Sequence, residues 1–134
     1  MEVLSTPRVH IRTFGCQMNE QDSGTMLQLL EGAGYSSTDD PEDADVILIN
    51  TCSVREKAEH KLRSEVGRVA QLKRTRPDLI LVVAGCMAQQ EGDKILKSMP
   101  AVDIVIGPDN IVELPELLTQ VRLGGPPVIG RAHV

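Results

Sequence analysis

Residues 44–58 read ADVILINTCSVREKA, and the fold prediction starts from this segment. An apolar, β-branched run ends at Asn50, and Cys52 follows almost directly. Short runs of this kind are typical of strands. Directly after the cysteine, Ser53 and Glu56 match the S-x-x-E capping box that begins a helix. The stretch therefore predicts a strand, a tight turn that carries a cysteine, and a helix.

The same pattern occurs twice more in the chain. VHIRTFG (9–15) leads to Cys16, and LILVVAG (79–85) leads to Cys86. Cys16 and Cys52 lie 36 residues apart (52 − 16), and Cys52 and Cys86 lie 34 apart (86 − 52). Such a spacing fits one strand, one helix and two turns. Each of the three cysteines is therefore expected just beyond the end of a strand.

Strands and helices alternate along the rest of the chain. The predicted strands are residues 9–14, 45–50, 79–84 and 102–106, and the predicted helices are 22–32, 53–76, 89–99 and one beginning near 115. The continuously apolar run 79–84 indicates a central strand buried on both faces. We predict an α/β fold of three layers, similar to flavodoxin and Rossmann folds. Its mainly parallel four-stranded sheet, in the order 2-1-3-4, has helices on both faces.

This arrangement brings the three thiols to one edge of the sheet. Neighbouring strands lie about 4.8 Å apart, so three adjacent strand ends hold three sulfurs within ~10 Å of one another. Three thiolates around one point suit a metal ion or an iron–sulfur cluster better than a disulfide, which uses two. Three buried thiols acting as small apolar groups are the alternative. In the order 2-1-3-4, oxidation in air could pair Cys16 with Cys52 or with Cys86.

Composition limits the function classes. The 134 residues are enough for one domain with a core of its own, and the odd number of cysteines argues against structural disulfides. A net charge of −5, with one Tyr, one Phe and no Trp, argues against a free-standing nucleic-acid binder. No apolar stretch reaches the ~18 residues of a membrane span, and the leader does not resemble a signal peptide. We expect a cytoplasmic protein that does not bind membranes.

One segment is basic, although the chain as a whole is acidic. Residues 55–76 carry eight basic and three acidic side chains. Such a segment is either a solvated helix face or a contact for phosphates within a larger assembly. The first strand also has a partly polar face, with His10 and Arg12, which is either incompletely covered or covered by a partner domain.

Three motifs carry a resemblance to a known family. TFGCQMNEQDSG, INTCSVREKA and AGCMAQQEG resemble the N-terminal domain of the methylthiotransferases, and the resemblance runs from about residue 8 to residue 123. These are radical S-adenosylmethionine enzymes that attach a methylthio group to tRNA or to a ribosomal protein. The resemblance implies that Cys16, Cys52 and Cys86 ligate an auxiliary [4Fe–4S] cluster and leave one iron free to hold the sulfur that is transferred.

Within that family, NTCSVREKA looks most like the branch that adds a methylthio group at C2 of N6-isopentenyladenosine 37 in tRNA. The branches acting on a ribosomal protein or on threonylcarbamoyladenosine tRNA are the alternatives. Family members also have a radical domain, with C-x3-C-x2-C for S-adenosylmethionine and a second [4Fe–4S] cluster, and an RNA-binding domain. This sequence contains neither. We therefore expect residues 1–123 to form the N-terminal domain, inert alone, and the Gly/Pro-rich residues 124–134 to be a linker towards the radical domain.

Polar residues near the cysteines are candidates to support a cluster through hydrogen bonds. They are Gln17, Asn19, Asn50, Thr51 and Ser53, although each could be an ordinary turn or cap residue.

Two other function classes stay open. A flavodoxin-like nucleotide-binding or interaction module requires a phosphate loop after the first strand, and CQMNEQDSG is a poor one. A zinc-binding docking domain usually has four ligands in close pairs, which this chain lacks.

Overall fold

The computed structural model describes residues 7–14, 17–51, 56–85 and 87–129. Its strands are β1 (Arg8–Phe14), β2 (Ser36–Ser37), β3 (Val46–Thr51), β4 (Ile80–Ala84), β5 (Ile104–Ile106) and β6 (Val128–Ile129). Its helices are α1 (Gln17–Gly32), α2 (Glu56–Thr75), α3 (Met87–Ser98) and α4 (Leu114–Arg122), with 3-10 turns at Pro41–Asp43 and Pro108–Glu113. Strands and helices therefore alternate as the sequence predicts.

All the strand pairs are parallel, in the order β2-β1-β3-β4-β5-β6. The α/β class is confirmed, but the predicted order 2-1-3-4 of four strands is wrong. The strand predicted at residues 45–50 is β3, and it lies between β1 and β4 rather than on the outer side of β1. The two serines of β2 take that outer position: Ser36 N donates to Pro7 O at 2.9 Å, and Thr38 N donates to Val9 O at 2.9 Å. A polar strand of two residues has no apolar run for a sequence pattern to detect.

Helices cover the sheet on both faces. Alternation along β3 sends Val46 and Leu48 to one face and Ile47 and Ile49 to the other, and all four are buried. The first face packs against α1 and α4, and the second packs against α2 and α3. Since β3 and β4 are buried along their whole length, the apolar run 79–84 is central, as predicted.

Two of the differences from the predicted bounds are large. Helix α1 begins at Gln17 rather than at residue 22. The prediction missed the first turns of this helix because they are polar and show no apolar periodicity. In the segment predicted to be a linker, β6 pairs with β5, and a Cβ added to Gly92 of α3 would lie 3.2 Å from the Ile129 side chain. The first part of that segment therefore packs on the sheet. The boundary at residue 123 and a domain beyond it stay predictions.

Some of the basic side chains of residues 55–76 form ion pairs within the domain. Glu65 Oε1 accepts from Arg12 at 3.1 Å and from Arg68 at 3.2 Å, and Arg76 pairs with Asp45 at 2.9 Å. Arg12 and Glu65 also line a cleft of about 150 Å³ between α2 and the polar face of β1. These contacts give several of the basic side chains a role inside the fold. None of the described helices has the length and apolar character needed to cross a lipid bilayer.

One half-buried ion pair links α2 to the centre of the sheet. Lys73 Nζ lies 2.5 Å from Asp103 Oδ2 and 2.8 Å from Ala101 O. The same carboxylate oxygen accepts from Leu81 N at 3.0 Å, so it connects α2, β4 and the residue before β5. The side chains of Lys73 and Asp103 are only 19% and 22% exposed, which limits screening by solvent.

Replacing Asp103 by alanine should lower the free energy of unfolding by about 2 kcal/mol, because it leaves Lys73 and the Leu81 amide without this acceptor. Urea unfolding of the two proteins measures the difference. Asp43→Ala is the matched control, because Asp43 meets Arg8 at 3.7 Å with both side chains more than half exposed. The control should change stability by less than about 0.5 kcal/mol. Equal effects of the two substitutions would contradict this account of Asp103.

Candidate functional site

The strands that precede the three cysteines end side by side. β1, β3 and β4 are parallel neighbours in that order, with Phe14 opposite Thr51 and Asn50 opposite Ala84. The three strands therefore end within one residue of one another, at the carboxyl edge of the sheet. This is the edge at which α/β proteins usually bind ligands.

The predicted site residues Cys16, Cys52 and Cys86 lie outside the described residues, so their roles stay predictions. In the sequence, they follow the ends of β1, β3 and β4 by two, one and two positions. Within the described residues, no group of three or more His, Cys, Asp or Glu side chains could hold a metal ion. What the structure establishes is the position of the three strand ends.

A close backbone contact fixes the end of β4 against the end of β3. Gly85 has φ +147°, and a Cβ added to it would lie 1.8 Å from the carbonyl oxygen of Thr51. On the other side, Gly85 N donates to Ile106 O of β5 at 3.1 Å. Only glycine fits at this position, since any side chain would overlap the Thr51 backbone. The contact fixes the distance between the ends of β3 and β4, which Cys52 and Cys86 follow in the sequence.

A buried polar cluster ties α1 to the ends of β1 and β3. Ser23 Oγ lies 2.7 Å from Thr13 Oγ1, and it accepts from Asn50 Nδ2 at 3.0 Å. Asn50 is 1% exposed and Ser23 is 9% exposed. Hydrogen bonds between buried groups are strong constraints, because breaking one leaves a desolvated polar atom. The cluster therefore fixes α1 on the two strand ends.

Thr51, the last residue of β3, has a different environment. The residue is completely buried, yet its hydroxyl oxygen has no hydrogen-bond partner in the part of the chain that the structure describes. Buried hydroxyls nearly always have a partner, so this one requires an explanation. It lies one position before Cys52.

The structure describes the side chains of two of the five polar residues predicted to support a cluster. Asn50 and Thr51 lie at the carboxyl edge, whereas the side chains of Gln17 and Asn19 and the whole of Ser53 lie outside what the structure describes. Sequence reasoning did not identify Ser23 or Thr13. Thr13 shares one face of β1 with the apolar Val9 and Ile11, but nothing in the sequence indicates that a serine ten residues later on a helix meets it.

A second unsatisfied buried atom lies in the 3-10 turn Pro108–Glu113, which follows β5. Asn110 is completely buried, and its Nδ2 donates to Glu113 Oε2 at 2.9 Å, whereas its Oδ1 has no partner among the described residues. Because β5 ends at the same edge as β4, this loop extends the edge past the three cysteine-bearing strands.

Among solved structures, the chain is similar to a de novo designed Rossmann 2x3 fold protein determined by solution NMR. The TM-score is 0.51 at 11% identity, and the match covers 97% of this chain and 100% of the designed one. At this identity, the likeness shows the fold alone. It agrees with the parallel sheet and two helical layers described above.

Three relatives named tRNA-2-methylthio-N(6)-dimethylallyladenosine synthase match most of the chain. The relative from Sorangium cellulosum is 60% identical over 122 residues, or 91% of this chain and 24% of its own length. Those from Bordetella petrii and a Janthinobacterium species are each 55% identical, and cover 90% and 88% of this chain. The chain spans about a quarter of the length of these relatives, namely 24%, 25% and 27%.

These names confirm the resemblance to the methylthiotransferases. A family model, described as the Uncharacterized protein family UPF0004, matches residues 8–107. That range contains β1 to β5 and all three cysteines. Since the match covers most of the chain, the protein belongs to the Uncharacterized protein family UPF0004.

Proposed function

We propose that this chain is the N-terminal domain of a tRNA methylthiotransferase and that it binds the auxiliary [4Fe–4S] cluster of that enzyme. Cys16, Cys52 and Cys86 would be the ligands. The enzyme would add a methylthio group at C2 of N6-isopentenyladenosine 37, because the three relatives reported above carry the name tRNA-2-methylthio-N(6)-dimethylallyladenosine synthase. The protein would work in the cytoplasm, where tRNA is modified.

One observation carries the proposal: three neighbouring parallel strands end in register, and a cysteine follows each of them within two residues. Strand spacing of about 4.8 Å keeps the three strand ends within roughly 10 Å, which is the scale of a cluster held by cysteines. Clusters of this type normally take four cysteines, so three would leave one iron open. When bound, the cluster would hold at that iron the sulfur destined for transfer.

The surrounding chain suits a negatively charged sulfur centre. Helix α1 begins at Gln17 and helix α3 begins at Met87, directly after two of the cysteines. Free N–H groups and the positive end of the dipole at a helix N-terminus favour anions. The Ser23–Asn50–Thr13 cluster and the Gly85 contact keep the strand ends in fixed positions, as a site with three ligands requires.

The rest of the activity would reside in other domains. We propose that residues 1–123 form the cluster-binding domain and that residues 124–134 lead to a radical domain. That domain would bind S-adenosylmethionine and a second [4Fe–4S] cluster, and an RNA-binding domain would follow. The coverage of only 24–27% of the relatives leaves room for both. By this proposal, the present chain alone does not modify tRNA.

Anaerobic reconstitution with iron and sulfide tests the cluster. We expect about four iron and four sulfide ions per chain, with broad visible absorption that dithionite bleaches. The matched control is a variant with Cys16, Cys52 and Cys86 all replaced by alanine, which should stay colourless. A wild-type chain that binds no iron, that binds zinc without sulfide, or that binds a flavin instead would contradict the proposal.

A further inference from the structure

The last two side chains of β3 are both polar and both buried, but only one of them has a hydrogen-bond partner among the described residues. Asn50 is directed to the face of α1, where its Nδ2 donates to Ser23. Thr51 follows it, so alternation along the strand places Thr51 on the opposite face, with Ile47 and Ile49. There its hydroxyl has no partner in the described part of the chain.

The described side chains around Thr51 offer this hydroxyl no partner. A buried water needs two to four polar partners. The neighbours of Thr51 on its own face, Ile49 along β3 and Phe14 across on β1, are apolar, and Thr51 is 0% exposed. Burial of an unsatisfied hydroxyl is destabilising, and valine would fill almost the same space without that penalty. A threonine here indicates that the hydroxyl bonds to a group that the described residues do not include.

The location of the hydroxyl at the candidate site indicates the chemistry of that group. Thr51 is the last residue of the middle strand of the three that precede the cysteines, and the Gly85 contact fixes its backbone against β4. The edge just beyond it would hold thiolate and sulfide sulfurs if the proposed function is correct. Sulfur atoms of this kind accept hydrogen bonds, and a hydroxyl donates one.

We propose that the Thr51 hydroxyl donates a hydrogen bond to a sulfur atom of the centre held by the three cysteines, and that it thereby positions that centre and raises its reduction potential. This inference rests on the proposed function. Thr51 is a positioning residue, since it acts through the sulfur ligands and not on the substrate. Hydrogen bonds to cluster sulfurs stabilise the reduced, more negative state, so removing one should make reduction harder.

The experiment compares the wild-type chain with Thr51→Val, which keeps the shape and removes the hydroxyl, and with Thr51→Ser, which keeps the hydroxyl. Thr119→Val is the matched control, because the Thr119 hydroxyl donates to Pro115 O on the exposed side of α4. All four proteins are reconstituted anaerobically with iron and sulfide. Their iron content is measured, and their midpoint potentials are determined by redox titration monitored by electron paramagnetic resonance.

We expect Thr51→Val to shift the potential to a more negative value or to lose the cluster, while Thr51→Ser and Thr119→Val stay close to wild type. In the absence of iron, Thr51→Val should melt at the same temperature as wild type or higher, because the unsatisfied hydroxyl is gone. A wild-type potential in Thr51→Val, or an equal shift in Thr51→Ser, would overturn the inference for Thr51 alone. A wild-type chain without iron would overturn the proposed function as well.

Discussion

Alanine at position 85 is expected to prevent the domain from folding stably. The added Cβ would lie 1.8 Å from Thr51 O and 2.9 Å from Thr51 C, far inside normal contact distance. Both atoms belong to the backbone of a central strand, so they cannot move aside as a flexible side chain would. The backbone of Gly85 is also in a region that other residues rarely adopt, with φ +147°. We expect Gly85→Ala to lose about 4 kcal/mol or more, a large part of the stability of an ordinary domain.

Circular dichroism during thermal unfolding measures the effect, with Gly34→Ala as the matched control. Gly34 also has a positive φ, +101°, but an added Cβ would have no atom within 4 Å. The control therefore reports the cost of the backbone conformation alone, about 1–2 kcal/mol. Equal stability of the two variants would contradict the close approach of β3 and β4 at the candidate site.

The parts of the fold that depend on buried, continuous runs could be predicted from the sequence. The strands predicted at 45–50 and 79–84 correspond to Val46–Thr51 and Ile80–Ala84. Their apolar, β-branched residues leave little choice of structure, because both faces must be covered. The strand order could not be predicted in the same way. It depends on Ser36 and Ser37, whose backbone hydrogen bonds carry no signature in the side chains.

The candidate site, too, could be predicted only in part from the sequence. The sequence indicates that the three strands before the cysteines end at one edge of the sheet, because each cysteine follows a strand-like run. Spacing and composition do not reveal tertiary contacts such as that of Ser23 with Asn50 and Thr13. They also cannot show that Thr51 lacks a partner, since this depends on every atom around its hydroxyl. Nor does the sequence indicate that the backbone of Gly85 lies against Thr51.

The corrected strand order changes which thiols can meet. In the predicted order, the strand of Cys16 was in the middle, and the pairs expected in air were Cys16 with Cys52 and Cys16 with Cys86. In the structure, β3 is in the middle, and β1 and β4 do not adjoin. A disulfide needs Cα atoms about 4.4–6.8 Å apart, which neighbouring strand ends provide and second neighbours, at about 10 Å, do not. Cys52, which follows β3, should therefore belong to every disulfide that forms.

A thiol count on protein purified in air tests this order, because a metal-free wild-type chain should contain one disulfide and one free thiol. In the Cys16→Ala variant, Cys86 should still form a disulfide with Cys52. In the Cys86→Ala variant, Cys16 should form it instead, and neither variant should have a free thiol left. Cys52→Ala should keep two free thiols, since the remaining cysteines follow strands that are separated by β3. Counts under denaturing conditions, with reduced samples as controls, give these numbers, and peptide mapping by mass spectrometry identifies the pairs. A disulfide between Cys16 and Cys86 in Cys52→Ala would contradict the separation of β1 from β4 at the proposed cluster site.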